Sequence, residues 1–370
     1  MPTPILVFTG DNHLRPRTWA KHPELYGDAY ASWRQIVDFC LQLRLPLLQL
    51  GDLFDSTRPD SMSVGMYLSH LGRLEQARLP FYYVEGNHDK ADFPWAGLTP
   101  WAQPLGKCHL NGVFLYGIGF CDSASLADEL SRIPAETTVV AAHQSWAEIQ
   151  RVGHTDGRFE MFPRGMTMLT GDYHVTGNWT GPAANGEPVV AYSPGSTAMQ
   201  ALNEPVEKYI GVLHDNLAVT WHQLLTRPVI KHTCRTEEEL QSVINCDIAE
   251  FMEQQSLPVE IRKPILQVRY QDTIPEAYAR LTAAAGEKFH LFLEPQREVL
   301  TRVIDTDTSP QGSFDSLKTA VGFCCDPSSA TFNGVQRLLD SSTPEREIAT
   351  MFTEFMENVG QTNPAESPAT

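Results

Sequence analysis

The chain has 370 residues, of which 42% are hydrophobic and 20% are charged, a normal balance for a soluble globular protein. Its length suits two domains, or one large domain with an appendage, and its apolar runs stay far short of the roughly 20 residues that a membrane span needs. The formal net charge of −17 argues against a broad basic footprint for nucleic acid. A nucleic-acid substrate would therefore require bound cations, a local basic patch or a partner.

The beginning of the sequence and the cysteine pattern both favour a cytoplasmic protein. Met1–Pro4 lacks a basic region, and the apolar run after it ends at Phe8, which argues against a signal peptide. Seven cysteines without C-x-x-C spacing indicate reduced thiols rather than a disulfide framework.

The first part of the chain alternates short apolar strands with amphipathic helices. Strands and helices are predicted, in chain order, at Ile5–Thr9 (strand), Ala29–Leu43 (helix), Leu45–Leu50 (strand), Ser61–Arg78 (helix) and Phe81–Val84 (strand). This β-α-β-α-β order predicts a parallel or mixed sheet, and the missing G-x-G-x-x-G argues against a dinucleotide-binding fold. The polar segment from Asn12 to Asp28 is interpreted as a loop, either solvated or in contact with nucleic acid.

The chain continues with strands and then a second unit. Further strands are predicted at Val113–Gly117, Thr138–Ala142, Met166–Thr170 and Val189–Tyr192, followed by a hairpin over Tyr209–His214 and Leu217–Leu224. After Thr226–Pro228 a second β-α-β-α-β unit is predicted from Val229–Thr233, Thr236–Gln255, Ile265–Tyr270, Pro275–Ala285 and His290–Glu294. Thr236 and Glu239 have the spacing of a helix-capping box.

The end of the chain has a different character. A polar linker over Thr306–Ser313 precedes two helical patterns, Ser329–Asp340 and Thr343–Val359, whose apolar stripes must pack on the main body or on a partner. We therefore expect three parts: residues 1–226, 227–300 and 301–370.

Polar residues with ligand chemistry follow the predicted strands. They are Asp11, His13, Asp52, Asn87, His88, His143, Asp172 and His174. The ends of parallel strands meet at one edge of a sheet, so we expect these residues to converge there. Oxygen and imidazole ligands without cysteine suit Mn²⁺, Fe²⁺ or Zn²⁺, and this number of groups suits two ions about 3.5–4 Å apart. Taken singly, each has a simpler explanation, such as a turn cap or a buried core histidine.

Five motifs in this order resemble the calcineurin-like metallophosphoesterase family. They are D-x-H at Asp11–His13, G-D-x-x-D at Gly51–Asp55, G-N-H-D at Gly86–Asp89, the lone His143, and G-x-x-H at Gly171–His174. The resemblance implies an α/β fold, a β-sandwich flanked by helices, with a smaller α+β capping domain and a helical C-terminal tail.

The resemblance also implies a role for each site residue and two divalent metal ions, with Mn²⁺ expected. One ion would be held by Asp11, His13 and His174, Asp52 would bridge, and the other ion would be held by Asn87, His143 and Asp172. His88 would contact the scissile phosphate, with Asp55 orienting it. The family's last motif usually has histidine where Asp172 stands, and a carboxylate there favours harder ions and adds negative charge that could slow turnover.

Within the family, the chain looks most similar to SbcD-type DNA repair exonuclease subunits. The similarity rests on Gly51–Asp55, on Tyr192–Ser196 followed by Glu207-Lys208, on Thr226–Pro228, and on the pattern of cap and tail. It implies 3′-to-5′ exonuclease and single-strand endonuclease activity on DNA, with an SbcC-like coiled-coil ATPase bound by the C-terminal helices. A homodimer and a nucleoid-associated location, or the host cytoplasm for a phage-encoded chain, are further expectations. The alternatives are a protein phosphatase or cyclic-nucleotide phosphodiesterase on the same scaffold, and an inactive scaffold subunit.

Overall fold

The structure is a computed structural model that describes residues 2–19, 22–91, 93–150, 155–245 and 257–296. The described residues belong to one compact unit. No helix among these residues is both long and apolar enough to cross a membrane. The predicted helices Ser329–Asp340 and Thr343–Val359 lie outside the described residues.

The strands of the described residues are, in chain order, β1 (Pro4–Thr9), β2 (Arg17–Trp19), β3 (His22–Tyr26), β4 (Leu47–Leu50), β5 (Phe81–Val84), β6 (Ala102–Pro104), β7 (Lys107–Leu110), β8 (Val113–Ile118), β9 (Val139–His143), β10 (Met166–Gly171), β11 (Gly177–Pro182), β12 (Pro188–Ser193), β13 (Lys208–His214), β14 (Val219–Leu224), β15 (Val229–Cys234), β16 (Ile265–Gln271) and β17 (His290–Gln296). Their α-helices are α1 (Asp28–Leu43), α2 (Ser61–Gln76), α3 (Ser123–Ser131), α4 (Glu237–Asn245) and α5 (Ala277–Ala285).

Two six-stranded sheets form a sandwich. The first has the order β14-β13-β1-β4-β5-β6 and the second has the order β11-β12-β10-β9-β8-β7. Strands β1, β4, β5 and β6 are parallel, as are β8, β9, β10 and β12, while β13 and β14 form the predicted antiparallel hairpin. The expected α/β sandwich is therefore confirmed.

The strands that carry the site are apolar on both faces because each sheet is covered on both sides. In β9, Val139 and Ala141 face the core between the sheets, whereas Val140 and Ala142 pack in an outer cluster with Leu126 of α3. The outer face of the first sheet is covered by α1 and α2 through a separate cluster. Such double burial explains why these strands read as continuous apolar runs rather than alternating ones.

Differences from the sequence prediction are concentrated in short elements. The segment interpreted as a loop after Asn12 contains the β2–β3 hairpin, whose Trp19 is anchored by its ring nitrogen on the carbonyl of Gln200 at 2.7 Å. Helix α3 begins at an unpredicted cap, where the Asp122 carboxylate accepts from the Ser125 amide at 2.8 Å. Both are held by tertiary or capping contacts that leave little hydrophobic periodicity in the sequence.

A three-stranded parallel sheet, β15-β16-β17, follows the sandwich and packs against α4 and α5. The capping box of α4 is confirmed: Glu239 N donates to Thr236 Oγ1 and Thr236 N donates to Glu239 Oε2, both at 3.3 Å. Residues 246–256 of the predicted helix lie outside the described residues. The proposed division at residue 227 stays a prediction.

Candidate metal centre

The candidate ligands lie where loops from both sheets meet. The loops after β1, β4 and β5 belong to the first sheet, and those after β9 and β10 belong to the second. The sequence-based expectation of a single sheet edge was therefore wrong, because the five strands divide between two facing sheets. The β1 and β4 loops run side by side, with Asp11 N donating to Gly51 O at 3.1 Å and His13 N donating to Asp52 O at 3.0 Å.

One group of ligand atoms is formed by Asp11, His13 and His174. One ligand atom from each lies within 4.8 Å of the others. The Nε2 atoms of His13 and His174 are 3.2 Å apart, and the Asp172 amide donates to Asp11 Oδ1 at 3.1 Å. Two imidazole nitrogens and a carboxylate thus face one small space.

A second group surrounds His143. Its Nε2 lies 3.5 Å from Asp52 Oδ1 and 3.8 Å from Asp172 Oδ1. The Asn87 side-chain amide is 3.0 Å from the same nitrogen and within 3.3 Å of both Asp52 carboxylate oxygens. The other Asp52 oxygen, Oδ2, is 3.7 Å from His13 Nε2. Asp52 therefore lies between the two groups, as a bridging carboxylate would.

The outer ring nitrogen of three histidines is held by an oxygen acceptor. His143 Nδ1 lies 2.7 Å from Leu50 O, and His174 Nδ1 lies 2.9 Å from Glu204 Oε1. His88 Nδ1 lies 2.8 Å from the main-chain oxygen of Asp55. Since an oxygen acceptor requires a proton on the nitrogen beside it, Nε2 of each ring is left to face the site.

The contact between Asp55 and His88 differs from the one expected. The Asp55 carboxylate accepts from Arg15 Nη1 at 2.6 Å and lies 3.5 Å from His13 Nδ1. It is the Asp55 carbonyl that holds His88, so the orientation comes from the main chain rather than from a carboxylate–histidine pair. The tight Arg15 contact turns the side chain away from His88.

Burial and neighbouring charges perturb the titration of this cluster. Burial raises the pKa of Asp11 to about 6, against the lowering effect of His143 and His174. Burial and the nearby His174 hold the pKa of His13 well below its usual value. For His143, burial opposes protonation, but the carboxylates of Asp52, Asp11 and Asp172 outweigh it and raise the pKa. Groups whose ionisation is shifted in this way are typical of functional sites.

The donor set fits divalent metal ions. Asp11 Oδ2 is buried and has no hydrogen-bond partner, although a buried carboxylate oxygen is normally paired. The arrangement contains three overlapping ligand triads, which are Asp11–His13–His174, His13–Asp52–His88 and Asp11–Asp52–His143. Carboxylate and imidazole donors suit borderline and hard divalent cations, and a cation would also offset the crowding of carboxylates.

The backbone around these ligands is strained in a way that aims the side chains inward. Asp11, His13, Asp52 and Asp172 have φ values of 46°, 42°, 55° and 78°, in the left-handed region that non-glycine residues rarely adopt. Such strain, of order 1–3 kcal/mol per residue, persists where the surroundings enforce it and clusters at functional sites. At Gly86 a Cβ atom would collide with the main-chain nitrogen and Oδ1 of Asp52, so the motif requires glycine there.

Two residues without an assigned role from the sequence support the ligands. The buried Asp89 carboxylate accepts from the amides of Gly86 at 3.0 Å, Leu53 at 3.2 Å and Phe54 at 3.3 Å, so that it joins the loops after β4 and β5. Burial raises its pKa, against hydrogen bonds that lower it. Glu204 is the second residue. Its spacing of four from Lys208 was the available signal, but nothing in the sequence linked it to His174.

Comparisons with known proteins agree with this geometry. The DNA double-strand break repair protein Mre11 of Methanococcus maripaludis is 31% identical over 84 residues, which cover 22% of this chain and 22% of that protein. The protein of the same name from Sulfolobus acidocaldarius is 25% identical over 156 residues, which cover 38% of this chain and 41% of that protein. The chain thus spans about a fifth to two fifths of the length of these relatives.

A solved structure, that of TT1561 of Thermus thermophilus, aligns with a TM-score of 0.36 at 12% identity over 60% of this chain and 100% of that chain, and no argument rests on it. The family model of the calcineurin-like phosphoesterases matches residues 5–190, which are 186 of the 370 residues. This match covers the strands and loops that carry nearly all of the candidate ligands and confirms the resemblance in the sequence. The chain belongs to the calcineurin-like phosphoesterase family.

Proposed function

We propose that this protein is a DNA nuclease that requires two divalent metal ions and has 3′-to-5′ exonuclease and single-strand endonuclease activity. The observation that carries the proposal is the convergence of Asp11, His13, Asp52, His143 and His174 into overlapping ligand triads. The similarity to proteins described as DNA double-strand break repair protein Mre11 supports DNA as the substrate.

The ligand roles follow the two groups of side chains. Asp11, His13 and His174 would hold one ion, and His143 with Asn87 and Asp172 would hold the other. Asp52 would bridge, since its two oxygens lie 3.7 Å from His13 Nε2 and 3.5 Å from His143 Nε2. Asp172 supplies an oxygen donor where the family pattern has an imidazole, which favours Mn²⁺. When bound, the ion pair supplies Lewis acidity and a nucleophile that is potent near neutral pH.

His88 is the residue that we assign to the scissile phosphate. Its Nδ1 is fixed by the Asp55 carbonyl, so Nε2 is available to donate to a phosphate oxygen or to protonate the leaving 3′ oxygen. Its amide donates to Asp52 Oδ1 at 2.9 Å, which ties the position of the ring to the bridging carboxylate. The chain thereby places a proton donor beside the ion pair without using that donor as a ligand.

The charge of the chain supports a nuclease that works with a partner. A net charge of −17 opposes close approach to a DNA backbone at low ionic strength. We propose that residues 1–226 form the nuclease domain, that residues 227–300 form a capping domain, and that helices within 301–370 bind an SbcC-like coiled-coil ATPase that holds the DNA. A homodimer and a cytoplasmic, nucleoid-associated location, or the host cytoplasm for a phage-encoded chain, belong to the same proposal.

The test is a nuclease assay on duplex and single-stranded DNA labelled at either end, with Mn²⁺, Mg²⁺ or a chelator. We expect Mn²⁺-dependent shortening from the 3′ end. His88→Asn should bind both ions and lose about 10²–10⁴-fold in rate, the usual contribution of a general acid. His109→Asn, a change at an exposed histidine of β7, is the matched control and should cut normally.

The outcomes separate the alternatives. Hydrolysis of a small chromogenic phosphodiester without DNA cleavage would favour another phosphoesterase. Absence of cleavage with any metal, even with the ATPase present, would favour the scaffold role. Normal cleavage by His88→Asn would refute the assigned role of His88.

A further inference from the structure

Glu204 lies outside the ligand set but is joined to it by a short hydrogen bond. Its Oε1 accepts from His174 Nδ1 at 2.9 Å. Its Oε2 accepts from Lys208 Nζ at 2.8 Å, from the Gln200 amide at 2.9 Å and from Ser196 Oγ at 3.2 Å. One oxygen thus serves the candidate ligand, and the other is held by three donors.

We propose that Glu204 is a positioning residue for the metal centre, because it fixes His174 in the tautomer that presents an unprotonated Nε2 to the ions. This inference rests on the proposed metal centre. A carboxylate beside Nδ1 accepts only from an N–H, so Nδ1 carries the proton and the Nε2 lone pair faces His13 and Asp11. A carboxylate hydrogen-bonded to a ligating imidazole also raises its basicity and limits its rotation.

Lys208 makes this carboxylate possible in a crowded acidic site. Its side chain is almost fully buried, and its ammonium group donates to Glu204 Oε2 and to Ser196 Oγ, both at 2.8 Å. A buried ammonium group is retained only when it is paired and hydrogen-bonded. The cation neutralises Glu204, so that a fixed acceptor stands behind His174 without a further net negative charge near the phosphate.

The same segment is linked to the other side of the site. Gln200, whose amide is bound by Glu204, accepts from Arg15 Nη2 at 2.5 Å through its side chain. Arg15 in turn donates to the Asp55 carboxylate, and the Asp55 carbonyl holds His88. Glu204 therefore sits at the start of a continuous polar chain that runs from His174 to the residue that we assign to the phosphate.

The experiment compares Glu204→Gln/Lys208→Met with Glu207→Gln, a control at an exposed glutamate of the same segment. The double variant removes the anion and the cation together, so no unpaired buried charge remains. Mn²⁺ affinity and stoichiometry are measured by calorimetry without DNA. The tautomer of His174 is read from ring ¹⁵N chemical shifts, assigned by the loss of its signal in His174→Gln.

We expect the double variant to bind Mn²⁺ about 10–100-fold more weakly at one of the two sites, with His174 no longer restricted to the Nδ1–H tautomer. The control should match the wild type in both measurements. Wild-type affinity together with an unchanged Nδ1–H signal in the double variant would overturn the proposal. If the double variant does not fold, Glu204→Gln alone, which keeps an oxygen for Lys208, decides by the same two readouts. Because DNA is absent, a failure of the nuclease proposal leaves this test intact.

Discussion

Arg227 should be one of the most important single residues for the stability of this protein. Its side chain is buried, with 4% exposed, at the junction between the sandwich and the three-stranded sheet. Nε and Nη2 donate to the two oxygens of Asp28 at 2.9 and 2.8 Å. The guanidinium also donates to the carbonyls of Lys263 at 2.6 Å, Glu260 at 2.7 Å and Tyr26 at 3.2 Å.

Replacing Arg227 with methionine keeps the apolar stem and removes every one of these donors. Asp28 would retain the Thr18 hydroxyl at 2.6 Å but lose its counter-ion. Removing one partner of a buried ion pair typically costs about 3–5 kcal/mol, since the remaining charge is left uncompensated. We expect the free energy of unfolding of Arg227→Met to fall by that amount.

The measurement is equilibrium urea unfolding, together with amide hydrogen exchange of β15 and β16. Arg34→Met is the matched control, because this arginine also binds a carboxylate at two points, with 3.0 and 3.2 Å contacts to Glu260, but is 36% exposed. A surface pair of this kind is worth about 0.2–1 kcal/mol. A loss below about 1 kcal/mol for Arg227→Met, or equal losses for the two variants, would refute the argument from burial. Asp28→Asn should recover part of the loss in the Arg227→Met background.

Three further outcomes follow from the site and from the three-stranded sheet. Asp52→Asn should lower bound Mn²⁺ from two ions per chain toward one or none by elemental analysis, and two retained ions would contradict the bridging role. Gly86→Ala should destabilise the fold by about 1–3 kcal/mol and weaken Mn²⁺ binding, whereas Gly106→Ala, with open space around its added methyl group, should do neither. Burial, with Arg227 and Lys263 nearby, lowers the pKa of His290 from 6.5 to about 4. The unfolded state therefore takes up the proton first, and stability should fall by up to about 2 kcal/mol from pH 7 to pH 5, with a shallower fall in His290→Gln.

The sequence by itself determined the strands of the sandwich and the identity of the candidate ligands. Strands such as β5 and β9 are buried on both faces, so their apolar runs are unambiguous, and the polar residues that follow them stand out. The five motifs then named the family, which the family model confirms over residues 5–190. Local signals also sufficed for the capping box of Thr236 and Glu239, because capping depends only on residues three apart.

Only the tertiary structure decided how these residues meet. The ligands come from two facing sheets, so the relation of Asp52 to both His13 and His143 depends on packing across the sandwich. The support of His174 by Glu204 joins residues 30 positions apart. Contacts of this kind have no period and no fixed spacing, since they arise when separate loops are brought together by the folded core. The pattern of residues therefore specifies the chemistry, whereas the three-dimensional packing specifies its geometry.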